Sequence, residues 1–393
     1  MEYSKNQNKF IEHVIKGDNV FLTGKAGTGK SFIVKEAIKK LKELNRNVIA
    51  IAPTGIASQN IGGQTMHSMF NLGIHGVLDF DKCRRLHSQK KRLIDKIDTI
   101  FVDEISMMRP DHLDAINYTM IKSGCGGLKT KQIIFVGDLK QLPAPIDDNT
   151  MSVLMNTYKS FEFFNAKVYS KLNVKEIELD FVHRQSDPEF IDNLNIIRDG
   201  GKSAYFKKFL NKEVKGIILA PHNSTVAKYN IAGLKSLPGK EVLYKAKVSG
   251  NAKAYEFNVD EEVRVKDGAK IMYLVNSKDN PLINGTLGVF RLRNGLPFIE
   301  VDGVCWSIED REFEKKEYVF NEDKDELELV VIGSVIQIPI KLAYALTIHK
   351  SQGLTFDEVT IDLSLPCFAK GQLYTSLSRV SSPEGLTIKI DDI

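Results

Sequence analysis

The first part of the chain alternates short apolar runs with longer amphipathic stretches. Asn19-Val20-Phe21-Leu22-Thr23, Asn47-Val48-Ile49-Ala50-Ile51-Ala52, Thr99-Ile100-Phe101-Val102 and Gln132-Ile133-Ile134-Phe135-Val136 read as strands buried on both faces of a parallel sheet. Residues 4–16 predict a helix, with Ser4 as N-cap and Phe10, Ile11, Val14 and Ile15 on its apolar face. Phe32 to Leu44 predicts a second helix. Residues 69–97 show no long helix or strand. They carry Lys82, Arg84, Arg85, Lys90, Lys91 and Arg92, ordinarily a solvated face. Lying between two strands of one sheet, they read as an inserted basic arm.

A second α/β pattern begins near 173. Asn173–Asp180 is strand-like, Pro188–Arg198 helical, Gly216–Pro221 a strand and His222–Leu237 a helix. Residues 243–338 change character: short β segments alternate with turns, Asn-Gly occurs at 284–285 and 294–295, and Glu322–Glu328 forms an acidic tip. This predicts a small barrel-like insertion containing Trp306. The α/β pattern resumes at Leu342 and closes with Gly385–Ile390. The expected organisation is two α/β domains, 1–68 with 96–172 and 173–242 with 339–393, carrying insertions at 69–95 and 243–338.

Chemistry enters at Gly24-Lys25-Ala26-Gly27-Thr28-Gly29-Lys30-Ser31. It fits G-x-x-x-x-G-K-[ST] and stands where a phosphate loop must stand, after a strand and before a helix. Glycines let backbone N–H groups wrap a phosphate, and the helix dipole favours its charge. Lys30 is expected to reach the β- and γ-phosphates of ATP, and Ser31 to ligate Mg²⁺. Asp103-Glu104, ending an apolar strand, supplies the acidic partner: Asp103 for the metal, Glu104 for the attacking water. Gln141, beyond the next strand, is a candidate γ-phosphate sensor. Gln7 could pair with adenine, although a helix-borne Gln is usually only solvated. Two α/β domains with one P-loop suggest that the second supplies cations to the transition state. Arg184 and Arg379 are placed for that, though each alone would ordinarily be a surface ion pair. Thr54 to Ser58 and Gly62 to Ser68, after the second strand, offer hydroxyl and N–H donors for nucleic-acid phosphates, or form an ordinary turn.

Net charge is +4 with pI near 8.6, mildly basic, so a nucleic-acid site must come from local clustering. Cys83, Cys125, Cys305 and Cys367 form no C-x-x-C pair, which argues against a zinc site or disulfide framework. The N-terminus has no apolar signal core and no run reaches membrane-span length. The expectation is a cytoplasmic protein, of bacterial or viral origin.

Taken together, SKNQ, GKAGTGKS, APTGIAS with GGQTMHS, FVDEISMM, VGDLKQLP, FVHRQSD, LTIHKSQGLTFDEV and YTSLSRV resemble, in order, motifs Q through VI of superfamily 1 DNA helicases. The branch is B, the Pif-one/RecD/Dda-like group. The resemblance implies two RecA-like P-loop-type domains in tandem, a wedge at 69–95 and an SH3-like β-barrel insertion at 243–338. It implies a MgATP-driven 5′→3′ motor that translocates on single-stranded DNA as a monomer. Such a motor unwinds tailed or forked duplexes, G-quadruplexes or RNA–DNA hybrids in replication, repair or recombination. By position, Gln7, Gly27, Thr28, Gly29, Lys30 and Ser31 match nucleotide-binding residues. Asp103, Glu104, Gln141, Arg184 and Arg379 match catalytic ones. Thr54, Thr65, His67, His349, Lys350 and Ser351 match strand-contacting regions. Two alternatives stay open. A small-molecule P-loop enzyme would hydrolyse ATP indifferently to DNA. A DNA-stimulated translocase would displace proteins without unwinding. A nuclease would need a second acid cluster that the sequence lacks.

Overall fold

The apolar runs become one parallel sheet. The computed structural model describes all residues except 1–2, 55–56, 59–60, 74–76, 145, 182–183, 212, 278–279, 322–325 and 391–393. In it, β1 (Val20–Gly24), β2 (Val48–Ala52), β3 (Gln64–Thr65), β4 (Thr99–Val102), β5 (Gln132–Val136) and β6 (Lys175–Leu179) stand in the order β3-β2-β4-β5-β1-β6. Side chains alternate across the sheet. Leu22, Ala50, Phe101 and Ile134 pack against α1 (Lys5–Lys16) and α2 (Lys30–Glu43) through Phe10, Val14, Ile33 and Leu41. Phe21, Ile49, Ile100 and Phe135 face the other way, onto Leu113, Ile116 and Met120 of the helix Pro110–Lys122. Both faces are therefore covered, and the central strands carry no polar stripe.

Two compact units result. The first comprises Met1–Leu139, Pro143–Arg184 and Lys316–Ile332, and the second Lys140–Leu142, Gln185–Lys315 and Gly333–Ile393. This corrects the sequence-based boundary near 173. β6 pairs in parallel with β1, Leu22 opposite Ile177, so residues up to Arg184 belong to the first unit. Its Lys175, Glu176 and Glu178 are exposed, the signature of an edge strand, and edge patterning does not say to which sheet a strand belongs.

The region 69–97 is more ordered than expected. Ser88–Lys96 is a helix, and Leu72, Leu78, Cys83, Leu86, Leu93 and Ile94 are buried in the first unit's core. Lys90, Lys91 and Arg92 obscured that helix in the sequence.

The second unit has its own parallel sheet, in the order Ala345–Thr347, Ile217–Ala220, Val359–Asp362, Leu386–Lys389. Its insertion contains a five-stranded antiparallel sheet running from Val304–Ser307 to Ile340–Leu342. Val265, Ile271, Tyr273, Phe290, Ile299 and Ile340 fill the core there, and Trp306 packs against it half-buried.

Two long strands, Arg311–Asn321 and Glu326–Gln337, replace the short segments expected. The first four residues of the expected acidic tip, 322–325, lie outside the described residues. Lys316–Ile332 belongs to the first unit, and the reason is visible at the edge of β2. β3 pairs with β2 only at Ile51 and Ala52, leaving the Ala50 N–H without a strand partner. That N–H donates to the Tyr318 hydroxyl at 3.2 Å. The Tyr318 N–H in turn donates to Gln64 Oε1 at 2.8 Å. Ser68 Oγ donates to Glu317 at 2.7 Å.

Candidate functional site

The residues expected to bind nucleotide assemble at the carboxyl edge of the first sheet. β5 lies between β1 and β4, so the P-loop and the acid pair leave that edge about 10 Å apart. Gly27 (φ 80°) and Gly29 (φ 79°, the N-cap of α2) turn the loop through left-handed backbone. Thr28 Oγ1 donates to the Lys25 carbonyl at 2.9 Å and is almost wholly buried. Lys30 Nζ donates to the Gly24 and Lys25 carbonyls at 2.6 and 2.9 Å. Ser31 is exposed in the first turn of α2. Arg184 lies against the loop: a Cβ on Gly27 would meet the Arg184 Cβ at 2.5 Å.

Asp103 and Glu104 end β4. The Glu104 N–H donates to Asp103 Oδ1 at 2.9 Å. Glu104 has φ 51°, a left-handed conformation that a non-glycine residue adopts only under constraint from its surroundings. Desolvation and the neighbouring Glu104 charge raise the Asp103 pKa, opposed by Lys30. A carboxyl pair that penalises its own ionisation, with a hydroxyl at a helix start on the same sheet edge, fits a divalent cation held by Asp103 and Ser31.

Gln7 also has a structural role. It is buried, and its Oε1 accepts the Ser4 N–H at 2.9 Å while Ser4 Oγ accepts the Gln7 N–H at 3.2 Å. This capping box engages the amide oxygen in holding α1. The amide nitrogen and the second lone pair of the oxygen remain for a base.

The profile of PIF1-like helicases matches residues 2–208. The ATP-dependent DNA helicase Pif1 of Campylobacter jejuni is 31% identical over 96% of this chain and 90% of its own. This chain belongs to the PIF1-like helicase family. It is a DNA helicase driven by ATP hydrolysis. Among solved structures, Bacteroides sp Pif1 in complex with ADP-AlF4 is 31% identical, covers 99% of this chain and 92% of its own, and superposes with a TM-score of 0.86. Bacteroides Pif1 bound to ssDNA, 32% identical over the same shares, gives 0.69.

The helicase motifs of the second unit stand differently from the sequence expectation. Gln141 belongs to the second unit, where its carbonyl and that of Lys140 crowd Gly371. Arg379, expected as a finger, is 1% exposed. It donates from Nε to the Thr375 carbonyl at 2.9 Å and from Nη2 to Ser378 Oγ at 2.7 Å, with Nη1 facing the Ser351 and Leu354 carbonyls. In this geometry it clamps the motif V segment. Ser351 is likewise corrected. It is fully buried, with its hydroxyl donating to the Ile348 carbonyl at 2.8 Å, so it braces its own loop from within. Lys350 is exposed. His349 is half-buried, and burial lowers its pKa, leaving a neutral ring at pH 7.

In the first unit's segment expected to contact a strand, Thr54 Oγ1 accepts the Ala57 N–H at 3.3 Å, and Thr65 Oγ1 caps the helix Met66–Phe70 through the Ser68 N–H at 3.2 Å. His67 sits 5.3 Å from His112, ring to ring, and burial lowers its pKa as well. Gly55, Ile56, Val182 and His183, which belong to two of the motifs, lie outside the described residues. Sequence reasoning missed the Arg109–Asp111 pair just after motif II. Arg109 donates to Asp111 at 2.9 and 2.7 Å, and Asp111 accepts the Leu78 N–H at 2.9 Å. The pair ties the 69–97 segment to the helix Pro110–Lys122. A buried carboxylate beside an arginine leaves no periodic signal to find.

Proposed function

We propose that this chain is a 5′→3′ motor that translocates on single-stranded DNA and opens tailed or forked duplexes. G-quadruplexes and RNA–DNA hybrids are further structures it would resolve, in replication, repair or recombination. It acts as a monomer. The observation that carries the reading is the meeting of Lys30, Ser31, Asp103 and the constrained Glu104 at one sheet edge.

Mg²⁺, when bound with ATP, neutralises phosphate charge; Ser31 and Asp103 are the residues to hold it. Lys30 lies over the loop as the cation for the phosphates. Glu104 is the base that takes a proton from the attacking water, since its neighbour Asp103 is engaged by the Glu104 N–H. Arg184, whose backbone and Cβ lie against Gly27, is the candidate second cation for the transition state. Residues 69–95 serve as the wedge and 243–338 as an SH3-like accessory module. Strand contacts go mainly to phosphates, so sequence preference is weak and affinity falls steeply with salt.

The test is strand separation on two matched duplexes, one with a 5′ tail and one with a 3′ tail. Only the 5′-tailed duplex should open. Opening of only the 3′-tailed duplex would overturn the polarity. If neither opens while single-stranded DNA still stimulates ATP hydrolysis, the chain is a translocase that does not unwind.

A further inference from the structure

Three rings stand together at the carboxyl edge of the second unit's sheet. His222 follows the strand Ile217–Ala220, His349 follows Ala345–Thr347, and Phe368 lies in the loop after Val359–Asp362. Those strands are neighbours in the sheet, so their loops emerge side by side. The Phe368 ring centroid is 5.1 Å from His222 and 6.4 Å from His349, the latter with planes within 24°.

Phe368 is 64% exposed, although the loop that carries it is firmly built. Gln372, with no exposed surface, accepts the Phe368 N–H at 3.0 Å and the Ala369 N–H at 3.4 Å, and its own amide faces the Pro221 carbonyl at 3.4 Å. His222 Nε2 faces the Pro366 carbonyl at 3.0 Å. A buried amide and an imidazole thus hold a large apolar ring out in water, at the cost of the burial free energy it would otherwise gain. Two exposed lysines stand close by in sequence: Lys350, next to His349, and Lys370, two residues past Phe368. An apolar protein partner would not call for imidazoles and lysines around its anchor. A base with its phosphates would.

We propose that Phe368, braced by His222 and His349, is a stacking platform for one nucleobase of single-stranded DNA, with Lys350 and Lys370 holding the adjoining phosphates. The proposal rests on the helicase reading and adds to it a contact that none of the quoted motifs contains. Stacking is indifferent to base identity, because every base has a π-face. Gln372 acts as a positioning residue, since it fixes the loop without reaching the strand.

The experiment compares fluorescence anisotropy of labelled oligothymidylate and of an oligomer of the same length carrying a run of abasic sites. The proteins are wild type, Phe368→Leu and Phe368→Trp, each first shown to melt at the wild-type temperature. Phe368→Leu keeps the bulk and loses the π-face. It should bind oligothymidylate about 5- to 100-fold more weakly and the abasic oligomer as wild type does. Phe368→Trp should restore or tighten binding to oligothymidylate alone. Equal binding of oligothymidylate by wild type and Phe368→Leu overturns the platform while leaving the helicase reading standing. Failure of wild type to bind either oligomer removes the helicase reading itself, and the platform with it.

Discussion

The Cβ of Arg184 stands 2.5 Å from where a Cβ on Gly27 would be, with Arg184 N at 3.3 Å. Gly27 also has φ 80°. Gly27→Ala therefore meets two obstacles: left-handed backbone, at about 1–2 kcal/mol, and a neighbour that must give way. The variant should lose nucleotide affinity at least tenfold, read by titration with a fluorescent ATP analogue. Wild-type affinity would mean that the loop and Arg184 separate freely.

Glu104 offers a separation of stability from chemistry. Glu104→Gly relieves the left-handed strain, and the fold should become no less stable, gaining up to about 1 kcal/mol. Hydrolysis should nonetheless fall roughly 100-fold or more, because the base is gone. Glu104→Gln should retain nucleotide binding with the same loss of turnover. Single-turnover hydrolysis and thermal melts read both effects. Turnover near the wild-type rate in either variant would reassign the base.

His112 makes the first unit sensitive to acid. Burial pushes its pKa down to about 3, with Asp111 opposing and Arg109 and His67 reinforcing the shift. Its Nδ1 has no hydrogen-bond partner among the described residues. The unfolded chain takes up the proton near pH 6.5 and the folded one does not. Stability is therefore complete above that pH and declines as pH falls from about 6.5 toward 3, by up to about 1.4 kcal/mol per pH unit. In urea melts at pH 7.5 and 5, His112→Phe should lose less stability between the two than wild type. Parallel losses would place the acid sensitivity elsewhere.

Lys350 and Ser351 are adjacent but should behave differently. Lys350→Ala removes an exposed cation, so single-stranded DNA binding should weaken and the slope of log affinity against log salt should drop by about 0.7. Ser351→Ala should leave that slope unchanged, since its hydroxyl bonds only inward to Ile348. A reduced slope in Ser351→Ala would show that the loop opens to expose it.

The P-loop, the acid pair and the four central strands were legible in the sequence because their signals are local. Spacing defines the loop, and unbroken apolar runs define the strands. What escaped was decided at a distance. β6 alternates exposed and buried positions as an edge strand of either sheet would. Tyr318 reads as one aromatic in a charged strand until Ala50 is found beneath it. Arg379 and Ser351 fit helicase motifs by position, yet a motif does not say whether a side chain points into the cleft or into its own loop. Phe368 sits in a short proline-containing loop, and only the geometry of Gln372 marks it as held in place.

Tyr318 also sets an order of events during synthesis. The edge of β2 is translated early, whereas the residue that satisfies the Ala50 N–H follows the Gln185–Lys315 segment of the second unit along the chain. A nascent chain halted after residue 184 would carry six strands' worth of sequence and still lack the side chain that closes them. The first unit therefore closes its sheet edge only after Gln185–Lys315 of the second has been made, and not before any of it, as a contiguous amino-terminal domain would. Its completion waits until the strand Arg311–Asn321 has left the exit tunnel, so a chain cut short before it is left with an unfinished sheet edge.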